Sequence, residues 1–112
     1  IKRNKQPMNI KAKFENFDDL LNHPDYISVA NVWKEILKEY SNPPLPTVWP
    51  IEDGGYSLNW ADGINTLTID IGSDDDGWFW MNHTTNKYSG SEDNNIDIKA
   101  IAKYLKETDW KF

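Results

Sequence analysis

The feature that most constrains this chain is a change of hydrophobic period midway along it. Tyr26, Val29, Ala30, Trp33, Ile36, Leu37 and Tyr40 recur at spacings of three and four, which puts them on one face of a helix. Farther on the spacing becomes two. Tyr56, Leu58 and Trp60 alternate with Ser57 and Asn59, and Leu67, Ile69 and Ile71 alternate with Thr66, Thr68 and Asp70. A helix with one apolar stripe and a sheet with one apolar face each need a cover, and each can serve as the other's.

The punctuation around these runs sets their limits. Pro24 suits a first helical turn, and Ser41-Asn42-Pro43-Pro44 ends the helix because residues before proline are driven out of the helical region. A short amphipathic piece, Phe14, Phe17, Leu20 and Leu21, precedes it. Residues 43–50 contain Pro43, Pro44, Pro46 and Pro50, which predicts a stiff, extended connector packing Leu45, Val48 and Trp49 on the domain. Asp62-Gly63 marks a hairpin turn between the two alternating runs. Ser73-Asp74-Asp75-Asp76-Gly77 marks a second turn, leading into Trp78-Phe79-Trp80-Met81.

That third strand is large and apolar on both sides. If Leu67, Ile69 and Ile71 face the helices, one of the pairs Trp78/Trp80 and Phe79/Met81 is left on the other face or at an edge. Residues 82–95 are polar and predict a loop or a frayed edge strand. From Ile96 to Glu107 the helical rhythm returns, with Asn94 or Asn95 as N-cap, Asp97 in the first turn, and Trp110 and Phe112 as a packing tail. The expected fold class is α+β: an N-terminal helix, a three-stranded antiparallel meander and a C-terminal helix, with the helices covering one sheet face. A single α+β domain is expected over residues 14–112, behind a basic, flexible arm over residues 1–13.

Charge narrows the partners. The arm holds Lys2, Arg3, Lys5, Lys11 and Lys13, five of the twelve basic residues and none of the eighteen acidic ones, which leaves the body at −11 against a whole-chain −6. So negative a body repels phosphate backbones, so no direct nucleic-acid partner is expected except through the arm. The absence of cysteine, of long apolar runs and of a signal-peptide core fits a soluble, cytoplasmic protein without a membrane partner.

Chemistry is thin. His23 and His83 are far apart and sit at turns or strand ends, which suits surface or capping roles better than catalysis. Asp74-Asp75-Asp76-Gly77 lacks the alternating acids and closing Glu of a calcium loop, and His83 stands where that Glu is required. Gly54-Gly55 precedes a strand where a phosphate loop requires a helix. No catalytic residue, metal site or cofactor is therefore expected.

One stretch carries a resemblance. Pro50-Ile51-Glu52-Asp53-Gly54-Gly55-Tyr56-Ser57-Leu58-Asn59-Trp60, followed by Leu67-Thr68-Ile69-Asp70-Ile71, resembles the P-x-x-D-G-G-x-x-x-E-W … L-x-I-x-I pattern of small uncharacterised bacterial proteins. It spans about a third of the chain and departs at Asn59, where the pattern has Glu. The resemblance implies a setting near toxin–antitoxin, defence or mobile-element genes, and no activity.

From residues 41–98, with ten acidic side chains against Lys87 alone, the leading expectation is a non-enzymatic, acidic protein-binding module. An antitoxin, immunity protein or inhibitor that neutralises a basic, nucleic-acid-handling partner fits best. Carboxylates would steer association and aromatic anchors would supply binding energy. The expected contacts are Asp74, Asp75, Asp76, Trp78 and Trp80, with Glu52, Asp53 and Glu92 at the rim. A secretion-chaperone-like dimer and a carboxylate-dependent enzyme are the alternatives.

Overall fold

The computed structural model describes residues 17–51, 54–72, 76–91 and 95–112. The basic arm lies outside them. Helix α1 (Phe17–Leu21) and a 3-10 turn (Pro24–Tyr26) lead into α2 (Ile27–Glu39). Five strands follow, β1 (Thr47–Pro50), β2 (Tyr56–Ala61), β3 (Asn65–Ile71), β4 (Gly77–Asn82) and β5 (Lys87–Ser91), and α3 (Ile98–Glu107) closes the order. The strands form one antiparallel meander in sequence order.

The expected three-stranded meander is thus corrected to five strands. The connector contributes the first. Thr47 and Trp49 are aligned with Asn59 and Ser57 of β2, and Ile51 N–H donates to Gly55 O at 2.9 Å, so the odd residues bond inward. The backbone groups of the even positions 46, 48 and 50 point outward from the sheet edge, and two of these residues are Pro46 and Pro50, which have no N–H to offer. The prolines therefore occupy the one side of an edge strand that tolerates them. The fifth strand comes from the polar segment, whose Lys87, Ser89 and Ser91 pair with Asn82, Trp80 and Trp78.

Even-numbered residues of β1, β2 and β4 and odd-numbered residues of β3 face the helices. Val48, Leu58, Trp60, Leu67, Ile69, Ile71 and Trp78 join Val29, Trp33 and Ile36 of α2 and Ile101 and Leu105 of α3 in one core. Phe17 of α1 meets Trp33 edge to face, with ring centroids 4.9 Å apart. Trp60 is buried with its indole N–H donating to Pro44 O at 2.8 Å, which ties the start of the proline connector to the sheet. Of the connector's apolar residues Val48 is buried and Trp49 half-buried, whereas Leu45 is exposed. The cap of α3 is Asp97, whose carboxylate accepts Ala100 N–H at 3.1 Å, two or three residues later than the expected asparagine cap.

Gly90 is required by its neighbours: a Cβ there would overlap Trp78 O and lie 3.0 Å from Phe79 Cα. Both are fixed by the sheet, so Gly90→Ala should destabilise the fold by about 1–3 kcal/mol, as overpacking does. A urea midpoint unchanged from wild type would show that β5 does not pair with β4 in this register.

Candidate functional site

The side of the sheet away from the helices is the candidate site. The register aligns Leu67 with Trp80 and Ile69 with Trp78, and both β3 residues belong to the core. Trp78 and Trp80 therefore go to the helix side, and Phe79 and Met81 to the opposite side. Trp78 is only 7 % exposed, and Trp80 is half-buried with its ring stacked on Tyr104 of α3, centroids 4.5 Å apart and planes 17° from parallel. Phe79, by contrast, is 45 % exposed and Tyr88 69 % exposed, and their rings stack at 6.1 Å.

Of the residues expected from sequence to make contacts, Trp78 supports the sheet from behind and Trp80 edges a cleft. Asp76 is half-buried just before β4. Glu52, Asp53, Asp74, Asp75 and Glu92 lie outside the described residues. The sequence does not single out Phe79, which is one member of two alternative pairs, or Tyr88, which falls in a segment expected as a loop or a frayed edge strand. The signal that separates Phe79 from its neighbours is pairing register, which one strand read alone does not carry.

Beside Phe79 this side is polar and internally bonded, and Ser57 and Asp70 on it are buried. Asn59 Nδ2 donates to Ser57 Oγ at 3.2 Å and Thr68 Oγ1 donates to Asn59 Oδ1 at 3.0 Å. Asn59, where the resembling pattern has Glu, is thus engaged by side chains on its own and the adjacent strand. In a meander, the connections after β1 and β3 and the exit from β5 share one end of the sheet. The opposite end carries the turns after β2 and β4, together with the C-terminal tail.

At that opposite end Asp62 organises the chain. Its Oδ1 accepts Ile64 N–H at 2.8 Å and Asn65 N–H at 2.6 Å, and its Oδ2 accepts Lys111 N–H at 2.8 Å. Burial works to raise its pKa, but these backbone donors and the Asn65 amide outweigh it and hold the carboxyl at about 2. The tail is further fixed by Trp110, whose indole N–H donates to Leu105 O at 3.2 Å and whose ring stacks on Phe112.

A cleft of about 400 Å³ opens between this end of the sheet and α3, lined among others by Asn65, Trp80, Asn82, Lys103, Tyr104 and Glu107. Its amides are committed: Asn82 Nδ2 donates to Asn65 Oδ1 at 3.0 Å, and Asn82 Oδ1 accepts Thr84 and Thr85 N–H. The indole N–H groups of Trp78 and Trp80 are buried without an acceptor among the described residues.

The titratable groups elsewhere serve local structure. His23 Nδ1 accepts Asp25 N–H at 3.2 Å and caps the 3-10 turn, and His83 Nε2 meets Thr66 Oγ1 at 3.2 Å. Burial, then the Tyr56 phenol and the Asp25 carboxylate, push Tyr26 above the ordinary tyrosine range. Among the described residues no three His, Cys, Asp or Glu side chains gather as a metal site would require, and no helix is long and apolar enough to cross a membrane. Comparison with protein-family models, curated proteins and solved structures finds no match to this chain.

The folded pKa of Asp62 lies below that of a free Asp, about 3.9, so its contribution is complete above about pH 4 and is lost as pH falls through about 2. Asp62→Ala should lower the urea midpoint at pH 7 and release the tail, read as a change in Trp110 fluorescence. Its difference from wild type should narrow towards pH 2; a difference independent of pH would contradict the hydrogen-bonded carboxylate.

Proposed function

We propose that this protein acts by binding, docking an aromatic patch with acidic surroundings onto a basic protein, in the manner of an antitoxin, immunity protein or inhibitor set against a nucleic-acid-handling toxin. The observation that carries this reading is the stacked pair Phe79 and Tyr88, exposed on the side of the sheet away from the described helices in a chain of net charge −6. A solvent-facing strand position ordinarily takes a polar side chain, and Thr66 and Thr68 are polar on this side of β3. Two large adjacent rings are the kind of anchor that dominates protein interfaces.

The acidic residues supply the other half of the recognition. Glu52 and Asp53 connect β1 to β2, Asp74, Asp75 and Asp76 connect β3 to β4, and Glu92 follows β5. Those junctions share one end of the meander, so a basic partner is steered towards the sheet that carries the aromatic pair, Phe79 in the middle of β4 and Tyr88 near the opposite, β4–β5 end. The toxin–antitoxin setting implied by the Pro50 to Trp60 resemblance agrees with such a partner. A cytoplasmic encounter fits the cysteine-free composition.

The test is capture from the source organism with wild type, Phe79→Ala and Tyr88→Ala, each partner then being identified and its affinity measured. A basic protein should be captured, with affinity falling roughly thirtyfold for each truncation, as loss of about 2 kcal/mol at a hot spot implies. Affinity should also fall steeply from low to high salt. Capture of acidic proteins only, equal affinity for all three proteins, or a mobility shift of nucleic acid at physiological salt would overturn the reading.

A further inference from the structure

The two edges of this sheet differ in what they offer to another strand. Hydrogen-bond direction alternates along an antiparallel strand, so one observed bond fixes the rest. His83 N–H donates to Ile64 O at 2.7 Å, in the same register that aligns Asn65 with Asn82. The odd residues of β4 therefore bond to β3, and the even ones bond to β5. Through the pairs Trp80 with Ser89 and Trp78 with Ser91, the odd residues of β5 bond inward. This leaves the N–H and C=O groups of Tyr88 and Gly90 directed outward from the edge.

The β1 edge has the same arithmetic and the opposite result, since its outward positions include Pro46 and Pro50. Edge strands are commonly protected in this way against adding another strand. On β5 no proline intervenes: Lys87, Tyr88, Ser89, Gly90 and Ser91 are all able to pair, and β5 is the last strand of the sheet.

We propose that β5 pairs with β5 of a second copy of this chain, antiparallel about a two-fold axis at Ser89, to give a continuous ten-stranded sheet. Symmetry and side-chain parity together select this register. It aligns Ser89 with Ser89 of the second copy, and Tyr88 with Gly90, so that the outward backbone groups of 88 and 90 meet one another on both sides of the axis.

The side chains agree with that alignment. Gly90 presents no side chain beside Phe79, whose ring leans over it with Cδ1 3.2 Å from where a Cβ would stand. The Tyr88 side chain of the second copy comes beside this residue that has none, next to the edge of Phe79. The two Phe79 and Tyr88 stacks then merge into one aromatic patch, still on the side away from the described helices. On the helix side Ser89 opposes its own copy with no bulk or charge. Lys87, the one basic residue in 41–98, lies opposite Ser91, the strand end that the sequence continues with Glu92 and Asp93.

The inference rests on backbone direction and is independent of the proposed partner, because strand addition leaves Phe79 and Tyr88 facing outward. The chain has no cysteine, so a single introduced thiol reports register. Ser89 and its symmetry mate form a non-hydrogen-bonded pair, with Cα atoms about 4.5 Å apart, within the range a disulfide spans. Sedimentation velocity of wild type should show a dimer that Tyr88→Pro, which removes an outward N–H, converts to monomer without loss of the circular dichroism spectrum. Under mild oxidation Ser89→Cys should cross-link at least tenfold faster than Lys87→Cys. A wild type that stays monomeric at high concentration, or equal cross-linking rates for the two cysteine variants, would overturn the proposal. Partner capture by the monomeric Ser89→Lys variant, in which two like charges would meet on the axis, separates a failure of self-pairing from a failure of partner binding.

Discussion

The structure depends on parity. In an antiparallel meander each residue's number, odd or even, decides both the face its side chain takes and the neighbour its backbone bonds. The central pair β2 and β3 sets the choice, because Leu58 aligned with Ile69 and Trp60 aligned with Leu67 place four large apolar groups on one side. A slip of one residue in either strand would turn its two apolar groups to the other side and bring Asn59 or Thr68 to the core side in their stead. Burial of Leu58, Trp60, Leu67 and Ile69 beneath α2 and α3 thus holds the register for the whole sheet.

The features at the periphery follow from that one choice. Propagated to β4, it buries Trp78 and exposes Phe79. Propagated to β5, it sets Tyr88 beside Phe79 and requires Gly90 to have no side chain. Propagated the other way to β1, it turns positions 46 and 50 outward, where proline is harmless. An edge closed by proline and an edge left open are thus consequences of the same register. So is an exposed aromatic pair on the side of the sheet away from the described helices.

Helix α2, the hairpin of β2 and β3, and α3 were legible in the sequence because each buries a single face and so writes its period in apolar residues. Of the two outer strands, the first was not legible, and the last only as an alternative to a loop. Four prolines in 43–50 read as an unpaired connector, since only the register reveals that Pro46 and Pro50 spare the inward bonds of Thr47 and Trp49. Lys87 to Ser91 has no apolar alternation, since its helix-side residues are Ser89 and Ser91 and its far side holds Tyr88 and Gly90. Its signal lies in the partner strand: Gly90 is intelligible only with Phe79 above it. The doubly apolar strand 78–81 announced that one pair would face away from the helices but not which, and the exposed aromatic pair is Phe79 with Tyr88 where the sequence favoured Trp78 with Trp80. Asp62 was recognisable as a turn residue, whereas its bond to Lys111, 49 residues on, was not.

Amide hydrogen exchange along β5, resolved residue by residue, tests this account most directly. In dilute protein Ser89 and Ser91, bonded to β4, should exchange slowly, and Tyr88 and Gly90, directed outward, should exchange rapidly. Rapid exchange at all four amides would mean that β5 is not part of the sheet, and slow Tyr88 and Gly90 amides beside rapid Ser89 and Ser91 would mean that the register, and with it the assignment of faces, is wrong.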